Sequence, residues 1–110
     1  MFVYGTLKRG RHLHRTYGFH NSEFLGEDTV KGELYTVGWY PVLYEDGEHV
    51  TDVPGEVFDV DEDTFKTVSR MEEAAGYETK KTKTKSGKNV YVFFYKGESN
   101  RIPANRIKEF

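Results

Sequence analysis

The chain has no cysteine. That removes disulfide scaffolding, thiolate metal sites and thiol nucleophiles together, and it fits a reducing compartment. Neither sign of charge dominates: sixteen basic residues stand against eighteen acidic ones, a formal charge of −2. The overall balance therefore calls for neither nucleic acid nor an anionic membrane as a partner. No run of about eighteen apolar residues is present, nor an apolar stretch leading to a cleavage site at the N-terminus, so the expectation is a soluble, cytoplasmic protein. His12, His14 and His20 fall close together, but no cysteine and no H-x-x-x-H helix accompanies them, and they do not make a zinc motif. With 110 residues, of which 36% are hydrophobic, the chain can bury one core, and a single domain over residues 1–110 is expected.

What is present begins with Met1-Phe2-Val3-Tyr4-Gly5-Thr6-Leu7-Lys8-Arg9-Gly10. Phe2 to Tyr4 favour a pleated strand, and the chain then breaks at Gly5, offers a hydroxyl at Thr6 and breaks again at Gly10. Glycine lets main-chain N–H groups approach a ligand that a Cβ would hold away, and a short run of such amides can hold a carboxylate or an oxyanion. On these residues alone, an ordinary turn after a strand is the competing reading. The basic run from Lys8 to Arg15 reads either as a solvated loop or short helix, or as a rim that attracts anions.

Further along, residues 29–36 read as a strand bent or tightly packed at Gly32. Trp39, Tyr40 and Pro41 either line a pocket or plug one end of a small barrel. A short strand over 42–44 is expected to close as a hairpin at Asp46-Gly47, and residues 55–60 alternate as another strand. Short strands punctuated by glycine argue for a curled sheet or a closed barrel. From Asp61 the period changes: Asp61, Glu62 and Asp63 suit a helix start, Phe65, Val68, Met71 and Ala75 form one face, and Gly76 ends the helix. Glu72 then lies beside the apolar stripe and Glu73 about 100° further round, so that Glu72 is the carboxylate placed for partial desolvation and proton transfer. Residues 81–85 alternate threonine and lysine as an edge strand, and residues 90–95, the most hydrophobic stretch, read as a central strand paired with it across a turn at 86–89.

Phe2-Val3-Tyr4-Gly5-Thr6-Leu7-Lys8-Arg9-Gly10, Phe24-Leu25-Gly26, Gly32-Glu33-Leu34-Tyr35, Tyr40-Pro41, Gly55-Glu56-Val57-Phe58 and Met71-Glu72 before Tyr77 together resemble the gamma-glutamylcyclotransferase-like superfamily, which includes AIG2-like and gamma-glutamylamine cyclotransferase proteins. The resemblance implies an α+β fold, a small mixed β-barrel with a few packed helices and a polar cavity at one end. It implies substrate contacts at Tyr4, Gly5, Thr6, Leu7, Tyr40 and Tyr77, and a catalytic acid–base at Glu72, with Glu73 the alternative if the helix register slips by one. The chain departs from the family pattern at Ser69, where an aspartate is usual, at Tyr77-Glu78-Thr79 in place of Tyr-x-Arg, and at Leu13 in place of an asparagine.

The implied activity is cyclisation of a γ-glutamyl amine or peptide to 5-oxoproline with release of the free amine. It needs no metal and no cofactor, because the substrate carries its own nucleophile. A non-catalytic small-molecule binder on the same barrel is the alternative. No nucleic acid or membrane partner is expected, and the protein is expected to be a monomer or a homodimer.

Overall fold

The computed structural model describes residues 1–11, 13–38, 40–98 and 101–110. In chain order these form β1 (Phe2–Val3), β2 (Glu23–Val37), β3 (Tyr40–Tyr44), β4 (Thr51–Asp59), the helix α1 (Glu62–Ala74), β5 (Tyr77–Lys83), β6 (Asn89–Tyr95) and β7 (Arg106–Ile107). The fifteen-residue β2 organises the sheet. Its first part pairs antiparallel with β4, from Glu23 opposite Asp59 to Gly32 opposite Thr51. Its second part pairs with β3, from Glu33 opposite Tyr44 to Val37 opposite Tyr40, and also with β7. Gly32 stands where the partner changes: a Cβ there would lie 2.7 Å from Leu43 Cδ1 and 2.8 Å from the Tyr44 carbonyl oxygen. A larger residue would push β2 and β3 apart at that point.

The expected closed barrel does not form. The main sheet is open, ordered β1-β4-β2-β3 with β7 against β2, while β5 and β6 make a separate two-stranded sheet. Closure requires every edge strand to find a ladder partner. Here β1 is only two residues long, and β6 meets it through side chains, with Val90, Val92 and Phe94 packed in one cluster with Phe2 and Tyr4. The architecture is α+β, an open curled sheet covered by a hairpin and a helix.

The same packing corrects the reading of residues 90–95 as a central strand. Among the described residues β6 pairs only with β5, and its hydrophobicity has another cause: Val90, Val92 and Phe94 face one core cluster while Phe93 faces the other. A strand wedged between two apolar clusters needs apolar residues on both faces whether or not it is central in a ladder. Asp46-Gly47 likewise closes no hairpin, because β3 and β4 both pair with β2 rather than with each other. The strands that pair across a close reversal are instead β2 and β3, with Val37 opposite Tyr40. Trp39 itself lies outside the described residues, as does His12.

Helix α1 starts where its local signals place it. The Asp61 carboxylate accepts the Thr64 N–H at 2.7 Å, and Glu62 and Asp63 occupy the first turn, where carboxylates meet the positive end of the helix. Gly76, at φ 102°, reverses the chain into β5. The buried face, however, is centred differently from the expected stripe. Val68 is fully buried, while Met71 is 45% exposed and Ala75 is exposed. On a 100° wheel Phe65, Val68 and Glu72 cluster within about 60° of one another, and Met71 falls outside that arc. The helix thus turns Glu72, rather than Met71, towards the body of the protein.

Candidate active site

The end of β1, the loop after it, the start of β3, the last turn of α1, the start of β5 and the middle of β6 converge on a cavity of about 330 Å³. Its wall includes Tyr4, Gly5, Thr6, Leu7, Tyr40, Glu72 and Tyr77, so the expected substrate contacts and the expected acid–base line one cavity. Glu73, the alternative one position on, is exposed and accepts a hydrogen bond from the Thr79 hydroxyl at 3.4 Å. Leu13, Tyr17, Ala75 and Phe93 complete much of the remaining wall. Tyr17 and Phe93 had not been picked out: Tyr17 sits in an irregular segment with no periodicity to mark a facing direction, and Phe93 is one aromatic among several in a hydrophobic run.

Two hydrogen bonds fix the aromatic side of the cavity. The Tyr4 hydroxyl donates to the Phe93 carbonyl at 2.5 Å, and the Tyr77 hydroxyl donates to the Pro41 carbonyl at 2.7 Å. Burial holds both phenols well above their ordinary titration range, with the nearby Glu72 adding to the effect. They are therefore neutral, oriented walls rather than bases at physiological pH. The Pro41 ring leaves no room beside the loop: a Cβ on Gly5 would lie 2.9 Å from Pro41 Cδ and closer still to Cγ. Gly5 thus lets the loop backbone pack directly against Pro41 in the cavity wall.

The loop itself has a directed polarity. The carbonyls of Gly5, Thr6 and Leu7 accept from Lys8 N–H at 3.0 Å, Leu13 N–H at 2.9 Å and the His14 ring at 2.8 Å. Among the described residues, no main-chain or side-chain acceptor takes the N–H of Thr6 or Leu7. Unpaired main-chain N–H groups of this kind can bind a carboxylate or a charged carbonyl oxygen.

Opposite in charge is Glu72. It is partly buried on the cavity wall, and among the described residues no donor satisfies its carboxylate. Burial pushes it from an ordinary 4.5 up to about 7, and its position in the last helical turn, at the negative end of the helix, acts in the same sense. A carboxyl poised near neutrality can take a proton and return it.

The basic rim suggested by residues 8–15 is largely occupied by the protein's own groups. Lys8 Nζ donates to the Phe110 carbonyl at 3.0 Å, Arg9 pairs with Glu56, and Arg11 donates to the Phe110 carbonyl at 3.2 Å. His20 is exposed, and the His14 ring is engaged with the Leu7 carbonyl.

Known proteins with this chain's features are consistent with one another. The sequence profile described as Gamma-glutamyl cyclotransferase, AIG2-like, matches residues 1–109. A Pyrococcus horikoshii protein, provisionally named a gamma-glutamylcyclotransferase, is 35% identical over 78% of this chain and 70% of its own length. Its crystal structure superposes with a TM-score of 0.79, covering 98% of this chain and 84% of that one. A Vibrio cholerae protein with the same provisional name is 36% identical over 93% of this chain and 85% of its own. The mouse AIG2-like protein shares the fold, with a TM-score of 0.73 at 24% identity over all of this chain and 86% of that one. Profile, relatives and superposition agree along nearly the whole length, and the chain belongs to the AIG2-like gamma-glutamyl cyclotransferase family.

Proposed function

We propose that the cavity converts a γ-glutamyl amide to 5-oxoproline and a free amine, with Glu72 as the acid–base. The observation that carries this reading is the unpaired, partly buried Glu72 carboxyl at about 7 on the wall that also presents the loop backbone of residues 5–7. In the proposed reaction the Glu72 carboxylate takes a proton from the substrate's α-ammonium group. The freed amine attacks the γ-carbonyl carbon and forms the ring C–N bond, while the N–H groups of Thr6 and Leu7 hold charge on the substrate oxygens. Glu72 returns its proton to the departing nitrogen as the old C–N bond breaks, and the second proton shed by the ring nitrogen ends on the released amine. No protein nucleophile is consumed, because amine and carbonyl already belong to one molecule and binding has only to fold it into the attacking geometry.

The test is incubation with γ-glutamyl amino acids and γ-glutamyl-ε-lysine, read as 5-oxoproline formed. The wild type is expected to release it, and Glu72→Gln to lose turnover by about a thousand-fold, within the range for a removed acid–base group. Undiminished turnover in Glu72→Gln, or no product from any substrate with folded wild type, overturns the reading. The pH profile sharpens it: as the base form is required first, kcat/KM should rise with pH and level off above about 7.

A further inference from the structure

We infer that Glu56 and His14 are positioning residues, which fix the amide face of residues 5–7 for a substrate oxygen; the inference rests on the cyclotransferase reading of the cavity. Neither is among the residues that line the cavity. Glu56 stands on β4 directly opposite Val3, the last residue of β1, and is only 7% exposed. One of its carboxylate oxygens accepts the Arg9 main-chain N–H at 2.7 Å, and the other accepts Arg9 Nε at 3.3 Å. The residue facing the entry of the loop thus grips its exit. The Arg9 guanidinium also lies 3.6 Å from the centre of the Phe24 ring, which holds the pair in place against β2. With the Arg9 side chain half exposed, the ion pair itself adds little stability, whereas a carboxylate that accepts a main-chain N–H fixes the backbone itself.

His14 acts one peptide further in. Its Nδ1 faces the Leu7 carbonyl at 2.8 Å; a carbonyl only accepts, so Nδ1 carries the proton. The ring lies 5.9 Å from Phe19 and 5.3 Å from Phe58, centre to centre, and packing against two rings limits its swing. The consequence follows from peptide planarity: in a trans unit the C=O and the next N–H point in opposite directions. Holding the Leu7 carbonyl orients the Lys8 N–H, which donates to the Gly5 carbonyl, and holding that carbonyl orients the Thr6 N–H. The Leu13 N–H on the Thr6 carbonyl does the same for the Leu7 N–H. Glu56 locks the next unit through the Arg9 N–H. Donors set in advance need no reorganisation when charge develops on the oxygen they face.

The experiment compares wild type with Glu56→Ala, Glu56→Gln and His14→Phe. Three quantities are read: kcat/KM for a γ-glutamyl amide, calorimetric affinity for 5-oxoproline, which carries both a carboxylate and a carbonyl, and hydrogen exchange at the Lys8 and Leu13 amides, whose bonds hold the Gly5 and Thr6 carbonyls. Glu56→Ala is expected to lower kcat/KM and 5-oxoproline affinity by about ten-fold or more, the scale of a small misplacement of positioning groups. It should speed exchange at both amides and leave the inflection assigned to Glu72 near 7. Glu56→Gln keeps an acceptor for the Arg9 N–H and should recover most of the loss. His14→Phe keeps the ring packing without the donor and should show a smaller loss in the same direction.

A purely structural role would lower Tm while the folded protein bound 5-oxoproline as tightly as wild type; that result overturns the inference, as does unchanged amide exchange in Glu56→Ala. If wild type neither binds nor forms 5-oxoproline, the cyclotransferase reading falls by itself, and the exchange rates still decide whether Glu56 orders the loop. Should Glu56→Ala fail to fold, Glu56→Asp, drawn back from Arg9 by one methylene, and His14→Phe carry the same comparison.

Discussion

The carboxylate on the cavity wall and two carboxylates along β2, Glu33 and Asp28, have opposite fates. Glu33 is 3% exposed, and burial alone would push it upward, yet the His49 N–H at 2.6 Å, the Tyr35 hydroxyl at 3.0 Å and the nearby Arg101 hold it below its ordinary range. At Asp28 burial again pushes upward, and the hydroxyls of Ser86 and Thr84 with the main-chain N–H groups of Thr29 and Ser86 reverse it to about 2. Glu72 has more solvent-accessible surface than Glu33, has none of these donors and is raised by burial to about 7. Solvent exposure alone therefore does not distinguish a reactive carboxyl from a structural one. The supply of donors does, because a satisfied carboxylate is committed to its charged form while an unsatisfied one can exchange its proton.

The strongest way to break this comparison is to remove the satisfied member. Glu33→Ala strips the acceptor from the His49 N–H and the Tyr35 hydroxyl and leaves space beside Gly47, which at φ 147° brings its backbone so close that a Cβ would lie 2.6 Å from Glu33 Oε1. The residues joining β3 to β4 lose their anchor with it. Denaturant unfolding is expected to show a loss of about 3 kcal/mol, the upper range for hydrogen bonds to a charged group with partners left buried. A loss below about 1 kcal/mol would show that water replaces the carboxylate freely, and that Glu33 is no clamp.

Glu33, Asp28 and Glu56 also mark what the sequence could not disclose. Each occupies a strand where an isolated acid in an alternating pattern looks solvent-facing, and only the loop that folds over it makes it buried. The start of α1 and a place for Glu72 near its buried face were legible from the acids at 61–63 and the spacing from Val68, although the expected stripe through Met71 and Ala75 is not the face that is buried. The backbone at Gly5 was legible from a similarly local signal, as a glycine directly after a strand. Barrel closure was not, since it depends on whether β6 pairs with or merely packs against β1, which no period within either segment encodes. Nor was the length of β2: the glycines suggested a strand over residues 29–36 alone, bent at Gly32, whereas it starts at Glu23 and passes through a bulge between Phe24 and Gly26.

Neutralising the unsatisfied member should do the reverse of what Glu33→Ala does. Glu72 is raised from 4.5 to about 7, so the folded protein binds its proton more tightly than the unfolded chain. That contribution to stability is fully present below about 4.5 and is lost as pH rises to about 7, above which the buried charge is carried uncompensated. Glu72→Gln removes the charge and should be more stable than wild type by about 2 kcal/mol at pH 8, some of the full linkage value being lost to water at the cavity mouth. At pH 4 the two proteins should differ little. Equal stabilities at both pH values would mean that Glu72 is hydrated and ordinary, which would remove the basis for its proposed chemistry along with the contrast to Glu33.

The smallest expected effect separates hydrogen bonding from charge at the satisfied end. Asp28 accepts the Thr29 N–H at 2.8 Å and the Ser86 N–H at 3.3 Å, and it also pairs with the Ser86 hydroxyl, so that the turn between β5 and β6 is tied to β2. Since its carboxyl lies at about 2, its stabilisation is present above the ordinary 3.8 and is lost only as pH falls towards 2. Asn at this position keeps one acceptor oxygen and the shape but not the charge. Asp28→Asn is accordingly expected to cost about 1 kcal/mol at pH 7, the difference between charge-assisted and neutral hydrogen bonds, and only a small part of that at pH 2, where about half the carboxyl is protonated. Melting curves of the two proteins should therefore converge on acidification, in the opposite direction to Glu72→Gln, whose curve separates from wild type as pH rises. If the Asp28→Asn deficit persisted unchanged to pH 2, geometry rather than charge would account for the knot, and donor supply alone could no longer explain why one carboxylate holds fast while the other is free to titrate.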